Sequence, residues 1–465
     1  MSDLRDKSVL VLGLGETGLS LARYLSAQGA RLYVADSRMN PPGIETLRRE
    51  MPLAEVHCGP FDDDLLQGID RIAISPGVPL AEPFVQRAIA RGIPVEGDIE
   101  LLAQLLDTSS YRRNTKVIAI TGANGKTTVT SMVGAMCTAA GLDTQVAGNI
   151  SPAVLDALRA RKQQPQVWAL ELSSFQLETT STLDADAAVV LNVTEDHLDR
   201  YAGSMDAYAA AKARIFQGGG IQILNRDDTR SDSMRRAGRR QISFGLNAPK
   251  RENDWGIARY GETTWLVQGE RKIMRADDLK VSGLHNVANA LAALALCRAL
   301  DLPLDPIVGA LRAFKGLPHR VEKVAEVNGI TYYDDSKGTN VGATEAALMG
   351  LGKPAIVILG GDGKGQDFSP LKEAVAKHAR AVVLIGRDGP LIGQALQGCG
   401  KPVLNARDMD EAVKIATANA QDGDAVLMSP ACASFDMYRS YLQRAEVFIA
   451  AVKKLESEAP CSVRH

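Results

Sequence analysis

Short apolar runs rich in β-branched residues recur along this chain at 9–12, 32–35, 117–120, 167–172, 187–191, 355–359, 381–385 and 425–428, each followed by glycine or a small polar or acidic residue. Longer stretches with apolar residues at helical spacing separate them. The alternation constrains the fold more than any other feature, because parallel neighbours in a sheet must be joined by a crossover of roughly a dozen residues or more, which a helix supplies. The expected fold class is α/β with mostly parallel sheets. In such sheets ligands sit beyond the carboxyl ends of the strands, so the polar residues just after each run are where chemistry belongs.

Two polar connectors, 107–115 and 314–318, divide the chain into three, and 465 residues suit that number at about 150 residues per domain. The expected domains are 1–105, 106–317 and 318–465, each opening on its own strand-led run. With 53 Lys and Arg against 55 Asp and Glu, the net charge of -2 gives no general attraction to nucleic acid. The longest apolar run, 290–297, is far short of the ~20 residues that span a bilayer. The first residues reach a strand without a basic region, apolar stretch and cleavage site. A cytoplasmic protein without nucleic-acid or membrane partners is expected. The six cysteines are scattered with no C-x-x-C pair, which argues against structural zinc. The one basic concentration, Arg235, Arg236, Arg239 and Arg240, reads as a solvated surface turn.

After the first run comes Gly13-Leu14-Gly15-Glu16-Thr17-Gly18, with Asp36 ending the next run. This is G-x-G-x-x-G between a strand and a helix: the glycines permit a tight turn and close backbone approach, the helix start favours phosphate, and Asp36 can accept from a ribose hydroxyl. A nucleotide diphosphate would fit, and the motif leaves NAD or another nucleotide open. Ser75-Pro76-Gly77 makes a second turn at the same sheet edge.

The run at 117–120 leads into Thr121-Gly122-Ala123-Asn124-Gly125-Lys126-Thr127-Thr128, followed by helical spacing of Val129, Met132, Val133 and Met136. That is a phosphate loop. Its backbone N–H groups cradle phosphate oxygens, Lys126 reaches the terminal phosphates, and the Thr127 hydroxyl is placed for Mg²⁺. One departure is Ile120, where the usual G-x-x-x-x-G-K-[ST] pattern has its first glycine. Downstream strand ends offer Glu171 and the segment Asn192-Val193-Thr194-Glu195-Asp196-His197-Leu198-Asp199, an oxygen-rich set that suits a hard cation.

In order along the chain, TGANGKTT, ELSSFQLE, NVTEDHLDR, AYAAAKARIF, GLHNVANALAA, LPHR, DDSKGTN, GGDGKGQDF and SPACASFD resemble the motifs of the Mur ligase family, over nearly the whole sequence. The motifs are most similar to those of members that add D-glutamate, and the glycine-turn domain sets the chain apart from folylpolyglutamate synthetases. The resemblance implies a Rossmann-like UDP-binding domain, a central ATPase-type domain with the phosphate loop, and a Rossmann-like C-terminal domain. It implies an ATP-dependent ligase of peptidoglycan precursor synthesis, joining D-glutamate to the L-alanine carboxylate of UDP-N-acetylmuramoyl-L-alanine through an acyl phosphate. A carboxylate is a poor electrophile, so activation by ATP precedes attack by the amine. Alignment and charge stabilisation then carry the catalysis, without a protein nucleophile. Two Mg²⁺ ions, a monomer, and closure of the C-terminal domain onto the central one are further implications.

Residue by residue, the resemblance implies that Asn124, Gly125, Lys126, Thr127 and Thr128 hold ATP phosphates. Asn286 and Asn289 lie by the adenine and phosphates, Arg320 neutralises phosphate charge, and Asp335 accepts from the ribose. Thr127, Glu171, His197 and Lys212 serve the metal ions, with Lys126, His197 and Lys212 catalytic. Lys212 matches a lysine that becomes carbamylated; taken without the resemblance it reads as an ordinary surface lysine on a helix. Gly15, Glu16, Thr17, Asp36, Ser37, Arg38, Gly77, Asn149 and His197 match contacts to the UDP substrate, with Arg38 able to pair with a phosphate. Lys337, Thr339, Lys364, Ser434 and Tyr441 match the D-glutamate site, where two carboxylates need cations and hydroxyls. An NAD-dependent dehydrogenase would leave the Lys126 loop without a role. A nucleotide-hydrolysing switch would leave the third domain's loops without one.

Overall fold

The computed structural model describes residues 4–107, 114–281 and 283–458, so most of the connector at 107–115 lies outside the described residues. All eight apolar runs are strands, and they fall into three sheets. The first sheet takes β1 (Ser8–Leu12), β2 (Arg31–Asp36), β3 (Glu55–Cys58), β4 (Arg71–Ile74) and β5 (Val95–Glu96) in the order β3-β2-β1-β4-β5, parallel throughout. The strand order reverses at β1, so the Gly13 turn sits where the crossovers diverge and leave a crevice. Gly18 serves packing there: a Cβ on it would lie 1.8 Å from the Gly13 carbonyl oxygen.

The central sheet holds β6 (Lys116–Thr121), β7 (Thr144–Gly148), β8 (Val167–Glu171), β9 (Ala187–Val190), β10 (Ile221–Asn225), β11 (Gln241–Phe244), β12 (Trp255–Tyr260), β13 (Thr263–Gln268) and β14 (Arg271–Arg275). Its order is β14-β13-β12-β11-β10-β9-β6-β8-β7. The strands from β7 to β12 are parallel, and β12, β13 and β14 form an antiparallel meander that the helix-strand alternation did not announce. The third sheet, from β15 (Glu322–Val327), β16 (Ile330–Asp334), β17 (Ala355–Gly360), β18 (Ala379–Ile385), β19 (Val403–Asn405) and β20 (Ala425–Met428), runs β15-β16-β20-β17-β18-β19. Only β15 is antiparallel to its neighbour.

The first two domains share an apolar core. One cluster runs from Val9, Leu21 and Leu25 through Val154 and Leu155 to Trp168 and Leu170, and Arg23 reaches Glu50 in its own domain and Asp156 in the next. The third domain differs. Two apolar clusters flank its sheet, and both draw only on its own residues, so it meets the central domain through polar and small side chains. No described helix is long and apolar enough to cross a membrane. In the basic turn Arg235, Arg236 and Arg240 are exposed, as expected, while Arg239 folds onto the carbonyls of Phe216 and Gly220.

Candidate active site between the central and C-terminal domains

β6 delivers the phosphate loop to the helix Lys126–Ala139. Gly125 has φ +83°, and a Cβ there would stand 2.5 Å from Asn289 Oδ1, so glycine alone fits. No side chain caps the helix start, which leaves its first N–H groups to an anion. Asn192, just past β9, holds the loop from the other side, accepting from Asn124 N at 2.8 Å and donating to Asn124 O at 3.1 Å. Two cavities flank the loop and share Asn124, Gly125, Arg320 and Lys337. One is lined by four further residues assigned to the nucleotide from sequence, Thr128, Asn286, Asn289 and Asp335. The other is lined by Lys126, Thr127, Asn149, Glu171, His197, Thr339 and Tyr441.

Lys126 folds back on its loop, donating to the carbonyls of Gly122 and Ala123 at 2.9 and 2.8 Å. Burial lowers its pKa against the pull of Glu171 and Asp196. Glu171 is buried at the end of β8; Oε1 accepts from Asn149 Nδ2 at 2.9 Å, whereas Oε2 is buried with no hydrogen-bond partner. A buried carboxylate oxygen left without a donor is costly, and the donor set of Glu171, the Thr127 hydroxyl and nearby Asp196 suits Mg²⁺. The residues present therefore fit the ion.

Lys212 corrects the plain reading of a surface lysine. It is 1% exposed, its Nζ donates to Gly122 O at 2.9 Å and lies 4.4 Å from the centre of the Tyr208 ring. Burial, then the neighbouring Lys126, push its pKa well down. The helix Met205–Ala213 thus aims a buried amine at the underside of the phosphate loop. His197 takes a left-handed backbone, φ +53°, and turns its ring edge-on to Phe175. Burial lowers its pKa below the ordinary value, against the pull of Asp196.

From the C-terminal side, Arg320 donates to the Thr127 hydroxyl at 2.6 Å, and burial lowers its pKa. Asp335 is pushed up to about 7 by burial, with its Oδ2 accepting from Ser429 Oγ at 2.6 Å. Lys337 lies 4.1 Å from the Tyr441 ring centre, and burial, then Arg320, bring it down to about 8. Lys364 reaches across to Asp196 at 3.1 Å. Burial opposes ionisation of Asp196, but Lys364, His197 and Lys126 outweigh it and hold the carboxyl below its usual value. Asp196 is the functional residue that sequence reasoning passed over, although it stands in the quoted acidic segment. Ser434 is buried and lines neither cavity. His319, Glu322 and Asp334 cluster tightly enough for a metal, but Asp334 is already held by His319 Nδ1 at 2.7 Å and by Ser336.

The first-domain residues gather separately. Gly15 caps the helix Glu16–Ala27 without a side-chain bond, beside Glu16 and Thr17. Asp36, expected as a ribose acceptor, accepts at Oδ2 from Leu14 N at 2.7 Å, and both its oxygens accept from Arg38. Burial opposes its ionisation, but these donors hold it down at about 2. Arg38, expected on a phosphate, is bound to Asp36, and Asn149, expected on the substrate, is bound to Glu171. In the turn Leu198–Tyr201 after His197, Arg200 donates to the carbonyls of Pro76 and Gly77, joining this first-domain cluster to the central one.

Three family models match in series: the Mur ligase MurD-like N-terminal domain over 7–97, the Mur ligase middle domain over 120–297, and the Mur ligase glutamate ligase domain over 319–432. The chain belongs to the Mur ligase family. It is 56% identical to a protein of Nitrosomonas europaea named UDP-N-acetylmuramoylalanine--D-glutamate ligase, over 97% of each chain. It is also 56% identical to the protein of that name in Aromatoleum aromaticum, over 98% of this chain and 99% of that one. Among solved structures it shares its fold with a UDP-N-acetylmuramate-alanine ligase of Thermotoga maritima, at TM-score 0.60 and 19% identity over 97% of this chain and 99% of the other.

Proposed function

We propose that this chain joins D-glutamate to the L-alanine carboxylate of UDP-N-acetylmuramoyl-L-alanine, with cleavage of ATP to ADP and phosphate, as a step in peptidoglycan precursor synthesis. The observation that carries the reading is the convergence of Lys126, Arg320 and Lys337 from two domains on adjoining cavities beside an unpaired buried carboxylate oxygen. The relatives' shared name supports the two substrates.

The alanine carboxylate oxygen attacks the γ-phosphorus of ATP, the bond to ADP breaks, and an acyl phosphate forms. The neutral amine of D-glutamate then attacks the carbonyl carbon and loses a proton, and phosphate departs with the former carboxylate oxygen. Lys126 and Arg320 stabilise the charge spread over the transferring phosphoryl oxygens, while uncapped helix N–H groups orient the phosphates. Lys337 and Lys364 supply positive charge for the carboxylates of D-glutamate, with Thr339 and Tyr441 in the same region and Ser434 behind it. Asn286, Asn289 and Asp335 hold the nucleoside, and the Gly15–Thr17 helix start with Ser37, Arg38 and Gly77 holds the uridine diphosphate. Mg²⁺ on Thr127, Glu171 and His197, one ion or two, would screen the repulsion between carboxylate and triphosphate.

Burial pushes the Lys212 pKa well below the ordinary lysine value, which favours the neutral amine, the form that adds carbon dioxide to give a carbamate and a proton. The carbamate oxygens would turn a cationic side chain into an anionic one facing the metal ions. The test is phosphate release with ATP, Mg²⁺ and UDP-N-acetylmuramoyl-L-alanine, comparing D-glutamate, L-glutamate, L-lysine, diaminopimelate and no amino acid. Release with D-glutamate alone is expected; release with another amino acid overturns the specificity.

A further inference from the structure

The third domain shares no apolar cluster with the rest of the molecule, so the few polar pairs across its seam hold it against the central domain. The helix Val341–Gly350 lies along that seam and presents small residues, Gly342, Ala343, Ala346 and Ala347, as a wall of the nucleotide cavity. At its start, Asn340 and Asn124 of the phosphate loop face each other as a reciprocal amide pair. Asn124 Nδ2 donates to Asn340 Oδ1 at 3.2 Å, and Asn340 Nδ2 donates to Asn124 Oδ1 at 3.0 Å. Asn340 is 3% exposed. Near the helix end, the buried ring of His285 sits between Gly283 and Gly350 and is hydrogen-bonded to the backbone of Ala346. The seam is tight between these points, since a Cβ on Gly342 would stand 3.2 Å from Thr194 Oγ1 and 3.3 Å from Asn124 Nδ2.

We propose that Asn340 is a positioning residue whose amide pair with Asn124 seats the C-terminal domain on the phosphate loop and thereby assembles the nucleotide and amino-acid cavities together. Asn340 follows Lys337 and Thr339 directly, so the pair ties the loop that carries the amino-acid ligands to the loop that carries ATP. No other side chain is needed to relay position between them. Loss of the pair lowers the fraction of molecules in which both cavities are complete. Apparent affinity for a ligand falls by that fraction, while saturating ligands restore the seated form. The inference rests on the proposed ligase reaction.

Asn340 also caps its helix, its Oδ1 accepting from Ala343 N at 2.9 Å. Asn340→Ser keeps a good cap but is too short to reach Asn124, which separates the two roles. The expected result is a rise of about tenfold in KM for both D-glutamate and ATP, set by the loss of two neutral hydrogen bonds, with kcat changed by less than roughly twofold and the melting temperature retained. In the double variant with Asn124→Ser, the rise in KM for D-glutamate should match that of the single changes, because partners in one interaction are not additive. Gly342→Ala tests the same seam from the side, crowding Thr194 Oγ1 and Asn124 Nδ2 while leaving both amide side chains in place, and should raise both KM values. Unchanged KM values in the Asn340 and Gly342 variants, or a double variant whose effect is the product of the single ones, would overturn the clasp. A wild-type protein that releases no phosphate with D-glutamate would contradict the reaction itself, so the two failures are distinguishable.

Discussion

Replacing Lys212 by methionine should stabilise the ligand-free protein while removing its activity. The amine is buried to 1% exposure, and its one hydrogen bond goes to Gly122 O. Lys126 Nζ also donates to that carbonyl at 2.9 Å, so the substitution orphans nothing. The lost bond is worth about 1 kcal/mol, whereas the removed burial of a polar group was costing about 2–3 kcal/mol. The net gain is about 1–2 kcal/mol, or ~3–6 °C in melting temperature for a domain of this size. Burial holds the folded-state pKa below the ordinary lysine value. Between the two values the unfolded chain carries a proton that the folded one lacks, so wild-type stability rises with pH over that window. The advantage of Lys212→Met is therefore largest at the acid side and shrinks as pH approaches about 10. Thermal melts in carbon-dioxide-free buffer across this range, paired with phosphate release, read both effects. Turnover should fall at least ~10²-fold. A methionine variant that turns over normally, or one destabilised equally at every pH, refutes the reasoning.

Lys126→Ala should abolish phosphate release with the melting temperature held within a few degrees, since the amine serves ligands and its own loop. Normal turnover would remove Lys126 from the mechanism. Lys364→Ala should raise KM for D-glutamate much more than for ATP, and equal effects on both would point to the Asp196 contact as structural. Asp335→Asn should remove a pH dependence: with a folded pKa of about 7 above the unfolded value near 3.9, the folded chain keeps a proton that the unfolded one loses. Wild-type stability then falls as pH rises from ~4 through 7, and the asparagine variant should gain most above that range; a parallel pH profile for the two proteins would contradict the assignment.

Eight of the parallel strands were legible because each is a short apolar run closed by a polar turn, whereas β3, β5, β7, β11 and β19 are too short or too polar to stand out; the phosphate loop was legible because Gly125 must adopt a left-handed backbone beside Asn289. The meander β12–β14 passed unnoticed. Its strands mix polar and apolar residues without a long apolar run and turn at Gly261 and Gly269, a hairpin signal that a search for crossover helices overlooks. Lys212 could not be read as buried, since five of the nine residues of the helix around it are alanine and leave little contrast between a polar and an apolar face. At Asp36 and Arg38 the residue types suited a ligand, and the structure adds a contact the sequence did not show, Arg38 donating to the carboxylate two positions before it. Pairings across domains, such as Lys364 with Asp196 or Asn340 with Asn124, have no local signature because the partners lie far apart in sequence.

The central claim is that the substrate's own carboxylate takes the phosphoryl group before the amine attacks. The direct measurement uses UDP-N-acetylmuramoyl-L-alanine labelled with ¹⁸O in its terminal carboxylate, turned over with ATP and D-glutamate, and reads the mass of the released phosphate. Phosphate carrying one labelled oxygen per turnover is the expected result, because the C–O bond broken on amide formation leaves that oxygen on phosphorus. Unlabelled phosphate accompanied by amide product would contradict the account.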